Sequence, residues 1–203
     1  HVLAEVDEVG DAFVPLRKSG FSVYAWQRMW DVSGILEERS ERSGAQLKTE
    51  TWMRVRSINL PSVQSLYHQI VPPLLQPVEP QPKTPLGWMS NDGAKCHVSV
   101  THGAHGIVLT PLIHPEATDV SAKLASLIGN LPDRRSRPVY VCVRSYQAWL
   151  EPVLADLGAK SGPRQAVMVK HLARLVKEGL PASAVPKGVS VQPSRVSRIE
   201  GKK

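Results

Sequence analysis

Apolar and polar positions change period along this chain, and each change marks an element. Val2–Val6 is a short apolar run that predicts a strand over His1–Val6. Asp7–Ser19 then places Val9, Ala12, Phe13 and Leu16 three and four residues apart, the spacing of a helix face. Pro15 kinks or shortens that helix, and Gly20 stops it. Phe21–Val32 alternates as a strand, with Tyr24, Trp26, Arg28 and Trp30 on one face. Ser33–Glu50 is charged and poor in large apolar residues after Leu36, so it reads as a linker. Thr51–Ile58 predicts a strand, and Leu60 to about Pro72 a helix with Val63, Leu66, Tyr67, Ile70 and Val71 on one face.

Gln76–Pro85 is proline-rich and predicts neither helix nor central strand. Lys95–Val100 and Ile107–Ile113 predict two strands joined by a turn with two glycines. A helix over Asp119–Asn130, capped by Thr118 or Asp119, turns Val120, Leu124, Leu127 and Ile128 inward. Pro138–Val143 reads as a strand, Tyr146–Leu157 as a helix and Gln165–Leu172 as a last strand. Hairpins come early and helix-separated strands late, which predicts a mixed α/β sheet with helices packed on it. Gly179–Lys203 has no period and several structure breakers, and reads as a flexible tail.

One pattern occurs twice. His1–Phe21 aligns with Val139–Ala159 without a gap, Leu16 on Leu154 and Gly20 on Gly158, an offset of 138. Each is a strand, a helix and a glycine stop. Only the second has a domain's worth of chain before it. The organisation expected is residues 1–32 as the C-terminal part of a first domain, 33–50 as linker, 51–178 as a complete related domain and 179–203 as a basic tail. The chain begins at His1 and not at Met, so a longer or processed product is expected, with chemistry in the preceding portion.

Composition narrows the classes. Hydrophobic content of 42% and charged content of 21% are those of a soluble globular protein, and no apolar run is long enough for a membrane helix. Two cysteines, Cys96 and Cys142, sit in strand patterns and read as buried thiols, which fits a cytoplasmic location. The net charge is +7, and more than half of it lies in the tail, where Lys187, Arg195, Arg198, Lys202 and Lys203 face one acid, Glu200. These bases are sparse and lack aromatic partners, so nucleic acid is not the expected partner. His97, His102, His105 and His114 cluster near Cys96, but turn positions and opposite sheet faces argue against a metal site. No Gly-x-Ser-x-Gly and no Gly-Lys-Ser/Thr occurs, so a serine hydrolase of that type and a P-loop are unsupported.

IVLTPLIHPEATDVSAKLASLI, PVYVCVRSYQAWLEPVLADLG and the Leu-Arg-Lys-Ser-Gly-Phe at 16–21 resemble the GNAT acetyltransferase superfamily. The resemblance covers Thr51 to about Val176, and Val2–Val32 as the last third of a preceding copy. It implies a GNAT-like acyl-CoA N-acyltransferase fold of tandem type, and acyl transfer from acyl-CoA to the amine of a small molecule or protein. In that family the central strand splays from its neighbour to admit the pantetheine arm, and a glycine-rich turn at a helix N-terminus holds the pyrophosphate. A tyrosine on the following helix often protonates the leaving thiolate. Here PEATDVSAK holds neither glycine nor arginine, Asp119 puts a negative charge at the pyrophosphate position, and Leu16 and Leu154 stand where the tyrosine is common. The second copy is therefore expected to be non-catalytic and to bind no cofactor in residues 51–178. Acetyl-CoA is expected only through the first copy. His114, Glu116 and Tyr146 are the candidate cleft residues, and Tyr24, Trp26 and Trp30 a candidate surface for a protein partner. A non-catalytic GNAT-like binding or structural subunit is the first alternative, and a basic nucleic-acid-associated protein the second.

Overall fold

In the computed structural model, residues 1–35, 52–91, 94–132, 134 and 136–172 are described. Of the expected linker 33–50 only residues 33–35 are among them, and these correct the expectation: they are helical, and Ile35 is buried in the main core. The rest of that linker and the expected tail lie outside the described residues. The described chain forms an eight-stranded mixed sheet with helices on both faces, the α/β class that the element order predicts. In chain order the elements are β1 (Val2–Asp7), α1 (Phe13–Lys18), β2 (Ser22–Asp31), β3 (Trp52–Arg54), α2 (Leu60–Ile70), β4 (Trp88–Ser90), β5 (Cys96–His102), β6 (Ile107–Ile113), α3 (Val120–Gly129), β7 (Val139–Arg144), α4 (Leu150–Asp156) and β8 (Lys160–Lys170).

The strand order is β1-β8-β2-β7-β6-β5-β4-β3, antiparallel except for the β6–β7 pair. That pair is parallel and short: Ile107 to Leu109 against Val139 to Val141. Along β6 and β7 alternate residues face opposite ways. Ile107, Leu109, Ile113, Val139, Val141 and Val143 turn to the main core, with Val120, Leu124, Leu127 and Ile128 of α3 and Leu150 and Leu154 of α4. On the other face Leu66 and Tyr67 of α2, with Val71 just past its end, cluster with Leu112.

The repeated pattern folds into an interlock. β1–α1–β2 and β7–α4–β8 are each a strand, helix and parallel strand, and each leaves room for one strand between its pair. β8 fills the gap in the first and β2 the gap in the second. Gln27 faces Gln165 across the β2–β8 ladder, one repeat apart. Tyr24 is an extra residue in β2, and Gly162 and Pro163 of β8 oppose Met29 alone, so the two bulges also lie one repeat apart. A Cβ at Gly162 would come within 2.9 Å of the Met29 carbonyl. Gly20 and Gly158 take φ of 88° and 86°, and Phe21 and Ala159 donate their N–H to the carbonyls of Leu16 and Leu154. Both helices thus end in the same left-handed cap.

Structure corrects the gapless alignment in the first strands. Asp7 pairs with Gln165 as Arg144 pairs with Gln27, which makes the offset 137 there. A slip of one residue would turn Glu5 to the wrong face, and its hydrogen bond to Gln27 requires the right one. Two helices are also shorter than their patterns. Asp7 still belongs to β1 and residues 8–12 precede α1 as turn and bend, and Ser145–Gln147 is a 3-10 turn before α4. The expected cap of α3 is corrected too: Asp119 sits at its N-cap in the left-handed region, φ 54°, with no side-chain cap bond.

Candidate functional site

The polar side of the sheet gathers where β2, β7 and β8 meet. Arg144 ends β7 and turns away from the core. Its Nη1 donates to Gln27 Oε1, its Nη2 to Glu5 Oε1 at 3.2 Å, and its Nε lies 3.4 Å from Glu79 Oε1. Gln27 is buried; its Nε2 donates to Gln165 Oε1 at 2.9 Å and Glu5 Oε2 at 3.1 Å. Cys142 Sγ donates to Gln27 Oε1 at 3.2 Å, and burial pushes that thiol up to about 11. It is a packed thiol and not a nucleophile at neutral pH.

Glu79 comes from the proline-rich segment, which crosses this side of the sheet as a strap. Tyr67 Oη donates to the Glu79 carbonyl at 2.9 Å, Gln64 Nε2 to the Pro82 carbonyl at 3.1 Å, and His97 Nε2 to the Leu86 carbonyl at 3.0 Å. Backbone that can join neither helix nor sheet is thereby paired by side chains. Beneath the strap lies a cavity of about 370 Å³, walled by Val71, Leu112, Pro80 and Pro82 and edged by Glu79, Arg144, Tyr146 and His97.

Its electrostatics follow from burial. Burial raises the Glu79 carboxyl above its ordinary value, against the opposing pull of Arg144 and the hydrogen bonds from Tyr146 and Tyr24. Tyr146 Oη lies 3.5 Å from Glu79 Oε2. Burial, then Glu79, raises the Tyr146 phenol, and the same two causes push Tyr24 up to about 12. Both phenols therefore stay protonated near neutrality and serve as donors to the carboxylate, not as acids. A buried carboxylate with raised proton affinity, held by two phenols and a guanidinium at a cavity edge, can accept a proton or hydrogen bond from a ligand.

The three residues expected to share a cleft do not. Tyr146 edges the strap cavity. His114 and Glu116 line a separate cleft of about 400 Å³ with Ser62, Ser65, Gln69 and Lys95. His114 Nδ1 accepts the Glu116 N–H at 3.2 Å, and the exposed Glu116 carboxylate pairs with Lys95 at 3.5 Å instead of capping α3. The aromatic face of β2 is divided as well. Trp30 is 6% exposed in the core, Arg164 stacks 4.0 Å over Trp26, and the bulge carries Tyr24 to Glu79. Among the described residues no group of three or more metal-ligating side chains converges, and no helix is long and apolar enough to cross a membrane. Glu79 escaped the sequence reading. Its one local signal is a carboxylate in an otherwise uncharged run before Lys83, and its partners lie in distant elements.

No family model matches the chain, and no curated protein matches it. Solved structures that it resembles include a GCN5-related N-acetyltransferase from Sphaerobacter thermophilus, 13% identical over 82% of this chain with a TM-score of 0.48. The chain spans 58% of that protein's length. A functionally unknown conserved protein from Staphylococcus epidermidis is 11% identical over 80% of this chain and 68% of its own, TM-score 0.46. A GNAT-family protein from Novosphingobium aromaticivorans is 12% identical over 75% and 69%, TM-score 0.49. In this chain antiparallel strands lead to a parallel pair that parts, with helices on both faces of the sheet.

Proposed function

We propose that this chain is a GNAT-like protein whose strap cavity binds an amine-bearing ligand, small molecule or protein side chain, with Glu79 as the group that accepts from the amine. The Glu79–Tyr146–Arg144 cluster at the cavity edge carries this reading. Acyl transfer from acyl-CoA is the reaction that the fold's resemblance implies. Residues 51–178 are not the part that holds the cofactor in the family's usual manner. Three features support that division. The turn before α3 has no glycine, Asp119 stands at its N-cap, and Lys123 donates from Nζ to the Thr118 carbonyl at 2.8 Å. A pyrophosphate would meet a carboxylate there. Acetyl-CoA belongs, on this proposal, to a first domain of which residues 1–32 are the C-terminal part.

A second reading, a non-catalytic subunit of an assembly, is favoured by the uncovered flank of the same repeat. β1 is an edge strand, α1 buries none of its residues, and Val2, Leu3, Val9 and Val14 are exposed. Calorimetric titration of the chain with acetyl-CoA tests the division of labour. No binding heat is expected, and clear micromolar binding at the turn before α3 would sink it.

A further inference from the structure

β6 and β7 stop pairing after Leu109 and Val141, yet β6 continues for four residues. Its Pro111 carbonyl and Ile113 N–H, two residues apart on one strand, present an acceptor and a donor on the flank that β7 has left. That is the pattern by which a strand edge recognises an extended amide. The chain supplies the amide itself. Gln147 closes the 3-10 turn after β7, its Nε2 donates to the Pro111 carbonyl at 2.8 Å, and its Oε1 accepts the Ile113 N–H at 2.9 Å. Gln147 is 1% exposed, among the most deeply buried side chains described.

A buried carboxamide is costly unless both ends are paired, and here both are. Its partners are backbone atoms that would otherwise face a gap between strands. Apolar packing alone could fill that gap but could not satisfy them. We infer that Gln147 is the built-in occupant of an amide-recognising slot between β6 and β7, and that its carboxamide shuts the slot to extended amides from outside. The inference deepens the proposed division of labour, for the slot lies in the half read as not holding cofactor. It stands on its own hydrogen bonds, however, and not on the turn before α3.

Two measurements on the full chain test it, with pantetheine as the probe because it carries two amides in an extended chain and no phosphate. In the wild type the Ile113 amide exchanges slowly and pantetheine causes no saturable NMR shifts. In Gln147→Ala the Ile113 amide exchanges at least about tenfold faster relative to its β6 neighbours, and pantetheine shifts Leu112 and Ile113 saturably. Gln147→Met keeps the bulk without the amide, so it should speed Ile113 exchange and still exclude pantetheine; it also decides the exchange arm if the alanine variant does not fold. Unchanged Ile113 exchange in a folded variant would overturn the inference. So would wild-type binding of pantetheine at Ile113, or an emptied slot that ignores it. Acetyl-CoA binding at the turn before α3, with Ile113 unmoved, would instead defeat the proposed division and leave Gln147 in its role.

Discussion

At His97 burial decides the charge of a side chain. The ring is 2% exposed, Nε2 uses its proton on the Leu86 carbonyl, and Nδ1 has no hydrogen-bond partner. Protonating Nδ1 would bury a charge, so burial lowers the imidazole's value and the bond to Leu86 only partly offsets this. An imidazole held below its ordinary 6.5 is protonated more readily in the unfolded chain. Its contribution to stability is full above that value and is lost as pH falls below it. Glu79 acts in the opposite sense: its raised carboxyl is costly when ionised, and protonation relieves that cost as pH falls toward the ordinary value of 4.5. Comparison with a variant separates the two. His97→Gln keeps a donor for Leu86, and its stability should fall less than that of the wild type between pH 7 and 5.5. Denaturant midpoints in parallel buffers report this; equal pH slopes would show that the ring is not held neutral by burial.

The two helices of the repeat share a pattern and differ in what covers them. In α4, Leu150 and Leu154 are fully buried beneath α3, whereas Leu16 of α1 is half-buried and Val14 is exposed. Leu154→Ala should therefore cost about 2–5 kcal/mol, the range for a leucine cavity that cannot collapse. Leu16→Ala, at the equivalent position, should cost about 1 kcal/mol or less, since little apolar area is lost. Urea unfolding of the two variants checks the contrast, and equal losses would mean that α1 is better covered than its exposure indicates. The same contrast explains what could be read in the sequence. Periodicity placed β6, α2 and α3 to within a residue or two, because each buries one continuous apolar face. It could not place the three-residue β4, too short for a period, or the breaks that shorten α1 and α4. The candidate site was legible only in part. Tyr146 was within reach because it begins an element, but Glu79, Arg144 and Gln27 meet through sheet order, which no local pattern encodes.

Across residues 1–172 the strand order makes the ends of the chain mutually dependent. A boundary near Ser33–Glu50 is a natural place to divide the sequence, and the sheet crosses it: β2 lies between β7 and β8 and bonds to both. Strands on either side of a third stand roughly 10 Å apart, too far to pair. Without β2, β7 and β8 each lose a ladder, and buried residues such as Val167 and Met168 lose their neighbours. Without β8, β1 has no strand partner among the described residues. Residues 1–35 and 52–172 should therefore fold as one cooperative unit, even if they derive from two domains. Cutting the chain at a protease site placed within residues 38–48 tests this. The two fragments should stay together through gel filtration in native buffer and separate only on denaturation. Residues 52–203 produced alone should be poorly soluble, and mixing with residues 1–37 during refolding should recover the native circular dichroism spectrum. A soluble 52–203 fragment with native stability would mean that β2 is an accessory to the sheet. It would also place the polar cluster around Arg144 outside the fold's requirements, because Gln27 and Glu5 would then be dispensable.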